Sequence, residues 1–174
     1  DLTDGQKFRN LADCDFLDFA DKGNLLERIA ARGLSDVEAI FHQGACSNTM
    51  EWNGRTMLAD NYEYSKALYA FATAREIPLI YASSAAVYGM GPVFREDPAL
   101  EKPLNPYAWS KVLFDRWVRR HAAGARSQVV GLRYFNVYGP RQDPNSAYAA
   151  VIPKFIAALR AGEAPIVHGD GGQS

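Results

Sequence analysis

A chain of 174 residues, 48% hydrophobic and 22% charged, holds enough apolar material for one ordinary domain and reads as soluble and globular. A formal net charge of −1 excludes a nucleic-acid surface built on excess cations, and no apolar run approaches a membrane span or a signal peptide. Cys14 and Cys46 give no disulfide framework and fit a reducing, cytoplasmic setting; His42, His121 and His168 have no metal-ligand spacing, so no metal is expected.

In chain order, residues 1–10, with the turn signal Asp4-Gly5, read as a loop, and residues 11–16 as a short strand. Residues 22–32 have helical apolar spacing through Leu25, Leu26, Ile29 and Ala30. Residues 37–42 form a compact apolar run that ends at Gly44, the pattern of a buried parallel strand. Residues 54–75 predict a long helix with Met57, Asn61, Ser65 and Leu68 along one side. A second buried strand is expected at 78–83 and a Pro- and Gly-dotted loop at 89–105. Asn105 can cap the next helix with Pro106 at its first position; Phe114, Trp117, Val118 and His121 give that helix an apolar stripe. A strand at 128–134, a helix at 148–161 and a short strand at 165–168 complete the pattern.

Strands alternating with helices predict α/β architecture: a doubly wound parallel sheet of Rossmann-like type. Ligands of such sheets bind outside the carboxyl ends of the strands. Gly44 to Ser47, Ser84 and Asn136 each follow a predicted strand, so they are expected on one rim, with Tyr107 and Lys111 on the helix beside it.

The chemistry centres on Ser83-Ser84-Ala85-Ala86-Val87-Tyr88-Gly89 and Asn105-Pro106-Tyr107-Ala108-Trp109-Ser110-Lys111. Four residues apart on a helix, the Tyr107 phenol and the Lys111 ammonium share a face. A fixed cation favours the phenolate, and a serine hydroxyl could hold the oxygen that gains or loses the proton. This suits hydride transfer at an alcohol carbon. Tyr-x-x-x-Lys by itself is common on solvated helix faces. Together with the serine segment and Arg133-Tyr134-Phe135-Asn136-Val137-Tyr138-Gly139-Pro140, it resembles the extended short-chain dehydrogenase/reductase family of sugar-nucleotide epimerases and dehydratases.

Within that family, several stretches resemble the ADP-glycero-manno-heptose 6-epimerases: Asp4 to Phe8, Phe41 to Ser47, Glu51-Trp52, Asn61 to Lys66 and Glu101 to Asn105. The resemblance implies NADP (NAD being the alternative), oxidation at C6 to a ketone, and return of the hydride to the other face, with a nucleotide-sugar substrate. It implies Tyr107 as acid/base, Lys111 as its electrostatic partner and cofactor ligand, and Ser84 as hydrogen-bond partner of the substrate hydroxyl. Asp1, Lys7, Lys22, Gln43, Gly44, Ala45, Cys46, Ser47, Asn61 and Val137 are implied as cofactor contacts and Asn136 as a substrate contact. Helices 54–75 and 107–122 are the ones that pair in relatives, which leaves a homo-oligomer open.

Two departures matter. Gln142-Asp143-Pro144-Asn145-Ser146 stands where the heptose epimerases carry His-Lys-Gly, so Asn145 takes the place of a proposed second acid/base. The run from Arg141 to Phe155 is more similar to UDP-hexose 4-epimerases, which keeps that activity as an alternative. No Gly-rich turn precedes residue 11. The chain is therefore expected to be part of a longer protein, lacking the first strand–Gly-rich turn–helix unit and most of a C-terminal substrate domain. Residues 1–141 would be a truncated dinucleotide-binding domain and 142–174 the start of the substrate region. As it stands it would bind a nicotinamide cofactor poorly, and a catalytically silent binding module is the reading of another class.

Overall fold

The computed structural model describes residues 2, 5–31, 34–142 and 151–167. The chain divides into two compact units, Asp1–Phe135 and Asn136–Ser174.

The first unit is built on a parallel sheet of β1 (Ile40–His42), β2 (Leu79–Ser84) and β3 (Val129–Tyr134), in that spatial order. Ile40 pairs with Leu79, Tyr81 with Gly131 and Ser84 with Tyr134. The strands alternate with α1 (Lys22–Ala30), α2 (Gly54–Leu58), α3 (Tyr64–Ala74) and α4 (Pro106–His121). Helices flank a parallel sheet, which is the Rossmann-like arrangement the pattern predicts.

Local chemistry sets the helix ends. Asp21 caps α1 by accepting from Gly23 N–H, and Asn53 caps α2 through Arg55 and Thr56. Asn105 caps α4, its Oδ1 accepting from Ala108 N–H at 2.8 Å, with Pro106 at the first position. Helices α2 and α3 run on through a π-helical turn at Ala59–Glu63, so one helical path covers residues 54–74. Met57, Asn61, Ser65 and Leu68 are all buried along it, as their spacing predicts.

The main core joins Tyr69, Phe71 and Ala72 of α3, Leu79 and Tyr81 of β2, and Phe114 and Val118 of α4. Burying each such side chain is worth about 1.5–3 kcal/mol. A smaller cluster packs Val87 and Tyr88, from the 3-10 turn after β2, against Val112 of α4. The aromatic stripe of α4 ends in the open: His121 is exposed and stacks on Trp117 at 4.1 Å. Gly131 lacks a Cβ for a reason. An added one would lie 2.4 Å from the Tyr81 hydroxyl, because the Tyr81 ring lies across its paired strand residue.

Four expectations need correction. Residues 11–16 form no strand: Leu11 N–H bonds Phe8 O and Cys14 N–H bonds Leu11 O, a pair of turns, and Asp13-Cys14-Asp15 offers no buried face. Gly5–Asn10 is a 3-10 helix, not a loop. β1 begins at Ile40, not residue 37, because its first ladder bond goes to Pro78 O and Pro78 has no N–H to extend the ladder.

The fourth lies in the second unit, whose one described helix is α5 (Val151–Arg160). It is closed by Gly162 at φ +75, with Glu163 N–H bonding Ala158 O. Residues 165–167 are not a strand; Pro165 follows the helix stop and removes a donor. Asp1, Asp4, Asn145, residues 148–150 and His168 lie outside the described residues. Among the described residues, no helix is long and apolar enough to cross a membrane, and no cluster of three His, Cys, Asp or Glu could hold a metal.

Candidate functional site

In a parallel sheet the turns after the strands open on one rim. The turn after β1 borders a cavity of about 570 Å³ in the first unit. Gln43, Gly44, Ala45 and Cys46 line it, together with Lys7, Lys22, His42, Asp60 and Tyr64. Six residues expected at a cofactor from sequence thus share one hollow. Ser47, next along, is exposed and is not among the lining residues. Lys22 opens α1 and pairs with Asp60 of the π turn at 3.0 Å, both partly exposed.

The donor set fits a nicotinamide dinucleotide. Two lysines supply positive charge for phosphates, the volume is ordinary for a small-molecule site, and a Cβ on Gly44 would meet nothing within 4 Å, so the strip is open to a ligand. Among the described lining residues, Asp60 is the opposing charge.

Asn61 lies behind the strip rather than in it, 1% exposed. Its Oδ1 accepts from Cys46 N–H at 2.8 Å, and its Nδ2 donates to Cys46 O and Ser110 Oγ, each at 3.0 Å. Ser110 Oγ in turn donates to Tyr107 O at 2.6 Å. One amide therefore ties the cavity strip to the first turn of α4, a structural strut rather than a direct cavity contact. Ser65 Oγ donates to Asn61 O at 2.7 Å, so it accepts from His42 Nε2–H at 2.8 Å. That puts a proton on His42 Nε2. Burial first, and the Lys111 charge second, push its imidazole down to about 4.

On α4, Lys111 Nζ stands 6.0 Å from the centroid of the Tyr107 ring, so the two side chains share a face as one helical turn requires. Lys111 is buried and donates to Ala82 O at 2.8 Å. Burial pushes its ammonium down to about 8, with the Asp115 charge opposing. Ala82 is two residues before Ser84. Ser84 Oγ accepts from Ala86 N–H at 3.2 Å, starting the 3-10 turn; a hydroxyl that accepts keeps its proton to donate. Tyr107 is half-buried. Asn136 and Val137 open the second unit and are exposed.

Spacing does not single out the charged network beneath this rim. Asp115, one turn beyond Lys111, accepts from Tyr81 Oη at 3.0 Å, Ser83 Oγ at 2.8 Å and Arg133 Nε at 3.3 Å. Arg133 also donates to Tyr88 Oη at 3.0 Å and pairs with Glu101. The available signal was a carboxylate at the i+8 position from Tyr107 amid buried neighbours.

A parallel sheet with a cavity at the end of β1 and a serine, tyrosine and lysine around the end of β2 defines an α/β protein of the dinucleotide-binding class. The chain belongs to the NAD dependent epimerase/dehydratase family, whose profile matches residues 2–174. It is 50% identical over 173 residues to an ADP-L-glycero-D-manno-heptose-6-epimerase of Alkalilimnicola ehrlichii, covering 98% of this chain and 54% of that protein. It is 53% identical over 160 residues to one from Pseudomonas aeruginosa, covering 92% and 48%. The chain thus spans about half the length of the curated relatives it matches. The solved Helicobacter pylori ADP-L-glycero-D-manno-heptose-6-epimerase superposes with a TM-score of 0.77 at 33% identity, over 89% of this chain and 49% of that one. A UDP-N-acetylglucosamine 4-epimerase from Methanobrevibacter ruminantium, solved with UDP-N-acetylmuramic acid, gives 0.70 at 34%, over 88% and 48%.

Proposed function

We propose that the protein is a sugar-nucleotide epimerase acting at C6 of an ADP-glycero-manno-heptose, with Tyr107 as acid/base. The carrying observation is Lys111 Nζ fixed at 6.0 Å from the Tyr107 ring centroid and anchored at Ala82 O. Lys7, Lys22 and the backbone of residues 43–46 would hold NADP; when bound, the cofactor supplies a reversible hydride acceptor. Tyr107 takes the proton of the C6 hydroxyl as the carbon becomes a ketone, then returns it when the hydride comes back to the opposite face, so the cycle has no net redox change. Lys111 favours the phenolate between the two halves. Ser84 donates to the reacting oxygen. Asp60, paired with Lys22, lowers the positive charge offered to a 2′-phosphate, which keeps NAD as the alternative cofactor.

A UDP-hexose 4-epimerase is the second reading, favoured by Asn145 in place of a second acid/base and by the 34% identity to a 4-epimerase. The test offers ADP-glycero-manno-heptose and UDP-galactose to the full-length protein and to its Tyr107→Phe variant. Heptose turnover that falls about 10²–10⁴-fold in the variant is expected. Turnover of UDP-galactose alone would establish the second reading; a fully active Phe variant would remove Tyr107 from the chemistry, and turnover of neither would leave a binding module.

A further inference from the structure

We propose that Asp115 is a positioning residue for the acid/base pair: its carboxylate fixes α4 against the ends of β2 and β3 and keeps Lys111 charged beside Tyr107. The inference rests on the catalytic reading of Tyr107 and Lys111.

Tyr107, Lys111 and Asp115 stand at successive turns of one helix face: phenol, ammonium, carboxylate. Lys111 and Asp115 are 5% and 4% exposed, so solvent screens neither well. Donors from two strands converge on the carboxylate: Tyr81 and Ser83 from β2, Arg133 from β3. Ser83 precedes Ser84, so the carboxylate that holds α4 in register also holds the strand end that presents the Ser84 hydroxyl. The Asp115–Arg133 ion pair is weak ground for stability, since desolvation offsets the attraction. What this one supplies is a fixed negative charge a helical turn from the ammonium.

The charges around it set the direction. Burial drives Lys111 toward its neutral form, and Asp115 is what opposes it. Facing the pair are His42 from β1, held neutral by burial and by the Lys111 charge, and Tyr81 from β2, whose phenol burial and Asp115 keep protonated far above its ordinary value. Arg133 faces it from β3, backed by Glu101. Burial raises Asp115 itself, and its bonds to Ser83, Arg133 and Tyr81 oppose the rise. Without the carboxylate nothing negative faces Lys111 among these groups, while Arg133 and the burial remain.

The test titrates Lys111 in the full-length protein by ¹³C NMR of labelled lysine, assigned with Lys111→Arg, in wild type, Asp115→Asn and Asp115→Glu. The kcat/KM pH profile is measured beside it. In Asp115→Asn the midpoint is expected to fall from about 8 by about one pH unit, the low end of what a nearby opposite charge supplies. The kcat/KM profile should shift with it, and Asp115→Glu should restore both. An unmoved midpoint, with only a lowered melting temperature, would reduce Asp115 to packing and overturn the proposal. Should Asp115→Asn not fold, Asp115→Ser, which removes the charge and keeps a hydroxyl that can accept from Ser83, must move the midpoint in the same direction; no movement there also overturns it. A fully active Tyr107→Phe defeats the catalytic reading whatever Asp115 does, whereas an active wild type whose Lys111 ignores Asp115 defeats this inference alone.

Discussion

Glu101→Gln is the sharpest probe of how the rim is held up. The Glu101 side chain is wholly buried and meets three guanidiniums. Arg119 grips it two-pronged at 2.9 and 3.0 Å, Arg116 Nε lies at 3.2 Å, and Arg133 completes the set. Burial would raise the carboxyl, but the guanidiniums outweigh it and hold the group below its ordinary value. Glutamine keeps the shape, loses the charge, and turns one acceptor into a donor facing donors. Breaking a buried pair costs about 3–5 kcal/mol. Arg116 and Arg119 are 37% and 39% exposed and can turn to water, whereas Arg133 is only 10% exposed. The lower end applies, about 3 kcal/mol; with an unfolding entropy of about 2.1 cal/mol/K per residue and a full-length protein about twice this length, the melting temperature should drop by roughly 4–5 °C.

The assay is thermal unfolding of the full-length pair, followed by circular dichroism. The sign with pH is a second check. A carboxyl lowered in the folded state contributes stability above its unfolded value of 4.5 and loses it as pH falls through the folded one. The gap between wild type and variant must therefore narrow on acidification below about 4.5. A drop under about 2 °C at neutral pH, or a gap that widens in acid, would refute the reasoning.

Two further outcomes follow from buried groups. Gly131→Ala puts a Cβ 2.4 Å from a Tyr81 hydroxyl already held by Asp115 and by the Phe114 ring at 4.8 Å; overpacking of this kind costs about 1–3 kcal/mol, and wild-type stability in urea would refute it. His42 refuses a proton down to about 4, whereas the unfolded chain takes one near 6.5. Wild type should therefore lose about 3 kcal/mol between those pH values, and His42→Gln, which keeps a donor for Ser65, should lose none of it. A stability difference between the two that ignores pH would count against a buried neutral imidazole.

Local signals in the sequence were legible where the cause is local. Asn105 and Pro106 start α4 because capping needs only a side chain and the next three N–H groups. The strand at 78–83 lies one residue from Leu79–Ser84, since a short apolar run after a proline has few other fates. Lys7, Lys22 and the 43–46 strip share a cavity because turns after parallel strands open on one side. What stayed hidden depends on pairs made only once the sheet is assembled. Glu101, Asp115 and Arg133 come from a loop, a helix and a strand, and nothing in their spacing announces that one guanidinium joins both carboxylates. Residues 11–16 failed for the converse reason: a run with some apolar residues reads as a strand until turn bonds claim its backbone.

Met57, Asn61 and Ser65 recur every four residues, and in a regular α-helix each such step turns the side chain about 40° further round. Across two steps they would leave the buried face, yet Met57, Asn61 and Ser65 are 0%, 1% and 2% exposed. The π-helical turn at Ala59–Glu63 reconciles the two, because its wider i→i+5 loops take up the extra rotation. Along it the Ser65 hydroxyl donates to the Asn61 carbonyl, and the Asn61 side chain reaches Cys46 and Ser110. In this chain a strict four-residue repeat of buried residues marks an underwound turn. Here that turn joins the cavity strip to the helix that carries Tyr107.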